Sequence, residues 1–259
     1  MKIGVYQPDH AGLSPSMRLE RLQAQLQANP VDLAICPELF LSGYHVGDEL
    51  KRLAEPVQGA SFQQAARIAS ETGAAIIYGY PEAADGKLYN SACCIGLDGS
   101  MIAHHRKAAN SPNSFEEDYF TPDGGATLFE FRGLNIAILI CYESEFPEGV
   151  RGAALKGADL VAVPTALAEK WEFVAEKLIP TRAFESCVWL AYANHAGTEN
   201  GLTYYGGSRI VAPDGEQVAV AGRDEQFITA PIDAERVSAA RQRLPYLRDC
   251  GLITALFEK

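Results

Sequence analysis

Three side chains in this 259-residue sequence stand where chemistry is usually done, each just after an apolar run. The segment Leu134 to Ile140 is continuously apolar apart from Asn135 and rich in β-branched residues, the pattern of a strand buried on both faces, and it stops at Cys141. Asp32 to Cys36 is a second short apolar run, broken by Pro37 and followed by Glu38. Met101 to His105 is a third, followed by Arg106 and Lys107. Taken singly, a free cysteine is most often a small buried hydrophobe, and a lone glutamate or lysine a solvated surface group. Their shared position changes the weighting, because carboxyl ends of strands converge in α/β sheets, where a thiol, a carboxylate and an ammonium can meet. Such a set can do acyl transfer. A carboxylate shielded from water can take the thiol proton. Lys107 and the backbone N–H of Tyr142 can hold the oxyanion of a tetrahedral intermediate. Pro147 suits the first turn of a helix running to Lys156, whose N-terminal partial charge would favour a thiolate at Cys141.

The elements that must position these groups read as follows. Lys2 to Gln7 is a strand, Pro15 opens a helix ended at Asn29-Pro30, and Ser61 to Thr72 is a helix stopped by Gly73. Ala74 to Tyr80, Leu88 to Leu97 and Met101 to His105 form a meander turning at Ala84 to Lys87 and at Asp98-Gly99. Ala108 to Asp123 is a long polar loop, a length that is usually functional. Thr127 to Phe131 pairs with Asn135 to Ile140 around Arg132-Gly133, and after the helix from Pro147 come a strand at Asp159 to Val163, a helix at Glu172 to Ser186 and a strand at Cys187 to Asn194. Ser208 to Ala212, Glu216 to Val220 and Phe227 to Pro231 read as a second meander, and the tail after Asp233 has no place in a sheet. The order helix, strand, helix, then meander occurs twice, so two similar halves supply mixed sheets with helices to cover them. The expected fold is α/β, a four-layer α-β-β-α sandwich, formed as a single domain over 1–259 because no linker separates the halves.

Hydrophobic residues make up 47% and charged residues 21%, an ordinary globular composition. The net charge is -11 and no basic run occurs, which argues against nucleic acid as a partner. No segment has the pattern of a signal peptide or the length of a membrane span. The cysteines Cys36, Cys93, Cys94, Cys141, Cys187 and Cys250 include no C-x-x-C pair, the usage of a reducing compartment, so a cytoplasmic location is expected. The glycines of 152–157 have the spacing of a phosphate loop but lack its Lys-Ser/Thr.

Pro37-Glu38-Leu39-Phe40-Leu41-Ser42-Gly43-Tyr44, His105-Arg106-Lys107 and Ile140-Cys141-Tyr142-Glu143 resemble, in order and spacing, the signature blocks of the nitrilase superfamily, the carbon–nitrogen hydrolases. The resemblance implies the same four-layer sandwich, often assembled as homodimers or larger homo-oligomers. It implies Glu38 as general base, Lys107 as oxyanion stabiliser and Cys141 as nucleophile, with no metal or organic cofactor. A further family glutamate matches Glu116, with Glu117 the alternative, set against a solvated acidic loop. The loops 39–46, 108–123 and 166–172 would shape the pocket, which makes Tyr44, Tyr142, Glu117, Thr165 and Ala166 the candidate substrate-binding residues. His104-His105 departs from the family's usual aromatic before Arg-Lys. Further segments, among them Glu145-Phe146-Pro147-Glu148 and Pro245-Tyr246-Leu247, are similar to bacterial 5-aminopentanamidases.

The implied activity is hydrolysis of a small aliphatic amide, such as an ω-amino amide, to carboxylate and ammonia through a thioester. The alternatives are an N-carbamoyl amine amidohydrolase, an ω-amidase of dicarboxylate monoamides, a nitrilase, or a non-catalytic binding member. Clustering of Glu38, Glu116, Glu117 and Asp118 around Cys141 would favour a neutral or cationic substrate over a carboxylate, unless Arg182, Arg209 or Arg223 reaches the pocket.

Overall fold

Along the first strand Ile3 and Val5 face one way and Tyr6 the other, and this alternation recurs on each central strand, so each sheet buries both faces. The computed structural model describes residues 1–257; residues 258 and 259, the end of the expected 1–259 span, lie outside the described residues. The first half runs β1 (Lys2–Gln7), α1 (Pro15–Ala28), β2 (Leu33–Ile35), α2 (Glu49–Leu53), α3 (Ala60–Thr72), β3 (Ala75–Ala84), β4 (Lys87–Ile95), β5 (Met101–Arg106) and α4 (Glu116–Tyr119). The second half runs β6 (Thr127–Phe131), β7 (Leu134–Ile138), α5 (Pro147–Leu155), β8 (Leu160–Pro164), α6 (Ile179–Ser186) and β9 (Trp189–Ala193). There follow the small ribbon β10 (Thr198–Glu199) and β11 (Leu202–Thr203), then β12 (Arg209–Val211), β13 (Gln217–Val220), β14 (Gln226–Pro231), α7 (Ala234–Arg243) and α8 (Tyr246–Thr254).

Two six-stranded sheets result, in the orders β14-β1-β2-β3-β4-β5 and β13-β12-β9-β8-β7-β6. Each has three parallel strands at its centre and antiparallel neighbours outside them. Ile3, Val5, Leu33, Ile35 and Ile77 of the first sheet meet Ile136, Ile138, Leu160, Trp189 and Ile210 of the second in the central core. On the outer face of the first sheet, Ala34 and Ile76 pack under Leu19, Leu22 and Leu26 of α1 and Phe62, Ala65 and Ile68 of α3. On the outer face of the second, Val161, Val163 and Leu190 pack under Val150 of α5 and Ala183 of α6. These layers are the α-β-β-α sandwich. Each large aliphatic side chain so removed from water contributes on the order of 1.5–3 kcal/mol.

The second meander does not form. β13 pairs with β12, but β14 leaves that sheet and pairs antiparallel with β1 of the other, from Lys2 opposite Pro231 to Gln7 opposite Gln226. The physical reason is the free edge of β1. β14 takes beside β1 the place that β6 takes beside β7, so both parallel cores are closed on that side by an antiparallel strand. The tail is helical. α7 is capped by the Asp233 carboxylate, which accepts from the Arg236 N–H at 2.7 Å, and Trp189 donates to the Asp233 carbonyl at 2.8 Å. α8 buries none of its residues fully and leaves Leu252 and Ile253 exposed. Among the described residues, no helix is long and apolar enough to cross a membrane.

Candidate active site

Glu38 follows β2 through a backbone path that depends on a glycine. A Cβ at Gly79 would lie 2.4 Å from the Leu39 nitrogen and 2.7 Å from the Pro37 oxygen, so only glycine on β3 lets this loop pass. Gly79 and the loop then exchange hydrogen bonds, its N–H to the Pro37 carbonyl at 3.1 Å and its carbonyl from the Leu41 N–H at 3.2 Å. His195 at the end of β9 donates from Nε2 to the Glu38 carbonyl oxygen at 2.8 Å. Burial holds this imidazole well below its ordinary pKa, near 4, so it serves as a neutral donor.

Lys107 ends β5, its N–H bonded to the Asn90 carbonyl of β4 at 2.8 Å. Its ammonium lies 2.7 Å from Glu38 Oε1 and 2.7 Å from Glu116 Oε2, and all three side chains are fully buried. Glu116 also accepts the Tyr44 hydroxyl at 2.6 Å and the Ser111 N–H at 3.3 Å. Burial opposes the charge on Lys107, but the two carboxylates outweigh it and raise its pKa, so it stays an ammonium. Burial likewise opposes charge on Glu116, and Lys107 and its hydrogen bonds bring it below the usual carboxylate range. Glu38 goes the other way. Burial dominates, and although Lys107 opposes it, the pKa rises to about 7. Asn90 Nδ2 donates to the same Oε1, at 2.7 Å, while the buried Oε2 has no partner.

Cys141 comes from the opposite sheet, past the end of β7, and begins a 3₁₀ turn over Cys141–Glu145 that precedes α5. Its φ is +48°, a left-handed conformation that costs a residue with a Cβ on the order of 1 kcal/mol. The turn is held by Ser144 Oγ donating to the Cys141 carbonyl at 2.7 Å and by Glu143, whose carboxylate accepts from the Ile140 N–H at 2.6 Å. That same carboxylate accepts from the Ala108 N–H at 2.7 Å and lies 2.9 Å from His105 Nε2. Glu143 thus straps the cysteine turn to the lysine strand, and the unusual His105 is part of the strap. The expectation of a thiolate is corrected. Burial pushes the Cys141 pKa up, the charge on Glu38 adds to this, and Lys107 only partly offsets both, so the resting side chain is a thiol.

Cys141 opens onto a cavity of about 480 Å³ whose walls include Tyr44, Tyr142 and Ala166, three of the expected binding residues. Thr165 is fully buried beneath it, its hydroxyl donating to Tyr192 at 3.1 Å. Glu117 is a correction: α4 turns Glu116 inward, and its neighbours Glu117 and Asp118 are exposed and do not line this cavity. A one-residue step on a helix rotates the side chain by about 100°, so only one of the adjacent acids can face in. Arg182, Arg209 and Arg223 also lie outside the cavity lining, paired with Glu185, Glu176 and Glu169.

Two groups went unread in the sequence. Glu199 on β10 accepts from the Tyr44 and His45 N–H groups at 2.9 and 2.7 Å and from the Tyr204 hydroxyl at 2.7 Å, which docks the 39–46 loop against the second half. A Cβ at Gly43 would lie 2.1 Å from that carboxylate, so the glycine of the first block makes room for it. Glu145 lines the cavity itself.

Residues 4–242 match the carbon–nitrogen hydrolase family, and the chain belongs to it. It is 39% identical over 252 residues to the "hydrolase in pqqF 5′ region" of Pseudomonas protegens, covering 96% of this chain and 88% of that one. An (R)-stereoselective amidase of Pseudomonas sp. is 32% identical over 227 residues, covering 87% and 82%. Among solved structures, the amidase of Nesterenkonia sp. AN1 superimposes with a TM-score of 0.85 at 29% identity, covering 96% of this chain and 93% of that one. That structure is of a glutamate-to-glutamine mutant and carries the acetamide moiety of fluoroacetamide added covalently at the active-site cysteine. A cysteine-to-alanine mutant of the same amidase is known in complex with butyramide. The protein is therefore a carbon–nitrogen hydrolase of the nitrilase superfamily, and an amidase.

Proposed function

We propose that the chain hydrolyses small aliphatic amides, ω-amino amides such as 5-aminopentanamide among them, with Cys141 as nucleophile, Glu38 as general base, Lys107 as oxyanion stabiliser and Glu116 as the group that orients Lys107. The observation that carries this is the buried carboxylate of Glu38, its Oε2 unpartnered and its pKa near 7, in a site whose thiol is not ionised. A thiol held protonated by burial needs a base at the moment of attack, and a carboxylate titrating near neutrality is matched to that task.

In the first half-reaction the Cys141 sulfur bonds to the amide carbon as its proton passes to Glu38. The carbonyl oxygen becomes an oxyanion, stabilised by the Lys107 ammonium and the Tyr142 N–H. Collapse breaks the C–N bond, Glu38 returns the proton to the leaving nitrogen, and ammonia departs from a thioester. In the second, Glu38 takes a proton from water as its oxygen attacks the thioester carbon. Collapse expels the sulfur, which is reprotonated by Glu38, and the product leaves as the carboxylic acid, which gives its remaining proton to water to become the carboxylate. Glu116 stays ionised throughout and, with Tyr44, keeps the Lys107 ammonium in place.

The butyramide bound by the Nesterenkonia amidase supports a short aliphatic acyl chain here. No arginine is among the described residues that line the cavity, and Lys170, the lysine that does, is exposed, which argues against a dicarboxylate monoamide as the preferred substrate. The test is ammonia release from butyramide, pentanamide and 5-aminopentanamide, with mass spectrometry of the protein during turnover of a slow amide. Wild type should release ammonia and carry the acyl group on Cys141, while Cys141→Ser folds and loses nearly all turnover. Normal turnover by the serine variant would overturn the reading.

A further inference from the structure

Among the described residues that line the cavity holding Cys141, Glu145 is the one carboxylate. It stands four positions after the cysteine, at the end of the 3₁₀ turn. Its backbone carbonyl accepts from Arg182 Nη2 at 2.6 Å and Nε at 3.3 Å, so the residue is anchored in place. The guanidinium is spent on that carbonyl and on Glu185, 2.8 Å from Nη1, and not on the Glu145 carboxylate. Among the described residues that carboxylate makes neither hydrogen bond nor ion pair. The cavity lining includes the apolar Phe115, Ala166, Leu167 and Trp171. Glu145 is half-buried, and an ammonium seated in the cavity would supply its carboxylate with a counter-charge. Burial accordingly pushes its pKa up, against the opposing influence of Lys107 and Arg182. Of the other titratable side chains that line the cavity, the basic ones are His45 and Lys170. Lys170 is exposed, with its ammonium 5.4 Å from the Trp171 ring centre.

The span also fits. Four residues of 3₁₀ turn rise about 8 Å. An extended chain advances roughly 1.2 Å per bond, so about four methylenes place an ammonium some 6 Å from the reacting carbonyl, with one hydrogen bond left to reach a carboxylate.

We propose that Glu145 is the specificity-determining residue of the acyl pocket, pairing with the terminal ammonium of an ω-amino amide while the carbonyl lies against Cys141. The assignment deepens the amidase reading above and rests on it.

The experiment is kcat/KM for 5-aminopentanamide, pentanamide and the ω-carboxylate glutaramate at equal, low ionic strength, in wild type, Glu145→Gln and Glu145→Arg. Ratios taken within one protein cancel any loss of folded material. Wild type should prefer the amine over pentanamide, and Glu145→Gln should cut that ratio by about tenfold, the range of one charge-assisted hydrogen bond. Glu145→Arg should turn the preference toward glutaramate. Equal losses for both substrates in Glu145→Gln, leaving the ratio unchanged, would overturn the proposal, because Glu145 would then act on chemistry common to all amides. No preference for the amine in wild type would overturn it too. Failure of wild type to release ammonia from any of the three would remove the aliphatic-amide reading, and the assignment with it.

Discussion

Glu38 and Glu143 are both buried glutamates within the same group of strand ends, and they have been given opposite characters. Glu143 accepts two backbone N–H groups and faces the His105 ring, so both oxygens are engaged. Although burial favours its neutral form, these partners hold it below the usual carboxylate range. Glu38 has a full cation beside it, yet Lys107 and Asn90 both address Oε1 and nothing meets Oε2. Its pKa rises to about 7. A neighbouring cation is therefore not enough to make a buried carboxylate inert. What differs is that each Glu143 oxygen has a partner, whereas Glu38 has an open oxygen and a second carboxylate, Glu116, whose charge raises its pKa further. A fully engaged glutamate is a strut, and a glutamate with one oxygen left open is a base.

The largest effect should come from removing the base. Glu38→Gln keeps the shape and the Asn90 contact, and should lower kcat/KM by about 10²- to 10⁴-fold. It should not lower the melting temperature at pH 8. A carboxyl whose folded pKa is raised contributes stability that is complete below the ordinary carboxylate pKa and is lost as pH rises through about 7, so at pH 8 the wild type carries a cost that glutamine lacks. Parallel kinetics and calorimetry separate the two readouts. A melting loss in proportion to the rate loss would contradict the comparison.

Glu143→Gln should invert the pattern. Two backbone donors then share one neutral acceptor, and stability should fall by about 2–3 kcal/mol, several degrees of melting temperature for a chain this long. Because the Glu143 pKa is depressed, its contribution is present above the ordinary carboxylate pKa and fades as pH drops through the folded value. The gap between variant and wild type should therefore narrow on acidification, which melting curves from pH 7 downward measure.

The smallest effect sharpens the comparison at Glu38 alone. Wild-type kcat/KM should fall as pH drops through an apparent pKa near 7, because the base must be ionised. Asn90→Ala removes a donor that favours the charged form, so this acid limb should move up by about one unit or less. A downward shift would mean that the limb belongs to another group.

The sequence shows the reactive residues better than it shows what tunes them. Glu38, Lys107 and Cys141 are legible because each ends an apolar run, and periodicity marks where such a run stops. Glu143 and Glu199 are not legible as struts. Each accepts from two backbone N–H groups, which carry no residue type, and for Glu199 these lie 154 and 155 positions away. A helix end nearby favours a thiolate, but burial, a tertiary property the sequence does not display, outweighs that partial charge and raises the Cys141 pKa. The choice between Glu116 and Glu117 follows from the facing of a single short helix, set by Tyr44 and Lys107 from distant elements. The two halves were visible in the order of elements. The path of β14 was not, since strand pattern alone does not say which sheet has an open edge.

That path has a consequence for how the protein is made. β1 is made long before one of its two neighbours, Gln226–Pro231, and the amino group of Met1 donates to the carbonyl of Ile232 at 3.0 Å. Until β14 is made, β1 therefore has an unfilled hydrogen-bonding edge in a growing apolar sheet. Pairing across such a sequence separation is slow, and an unpaired edge invites association with other nascent chains. Strands far apart in the sequence are stitched together, so the sheet that carries Glu38 and Lys107 is complete only once β14 has been made.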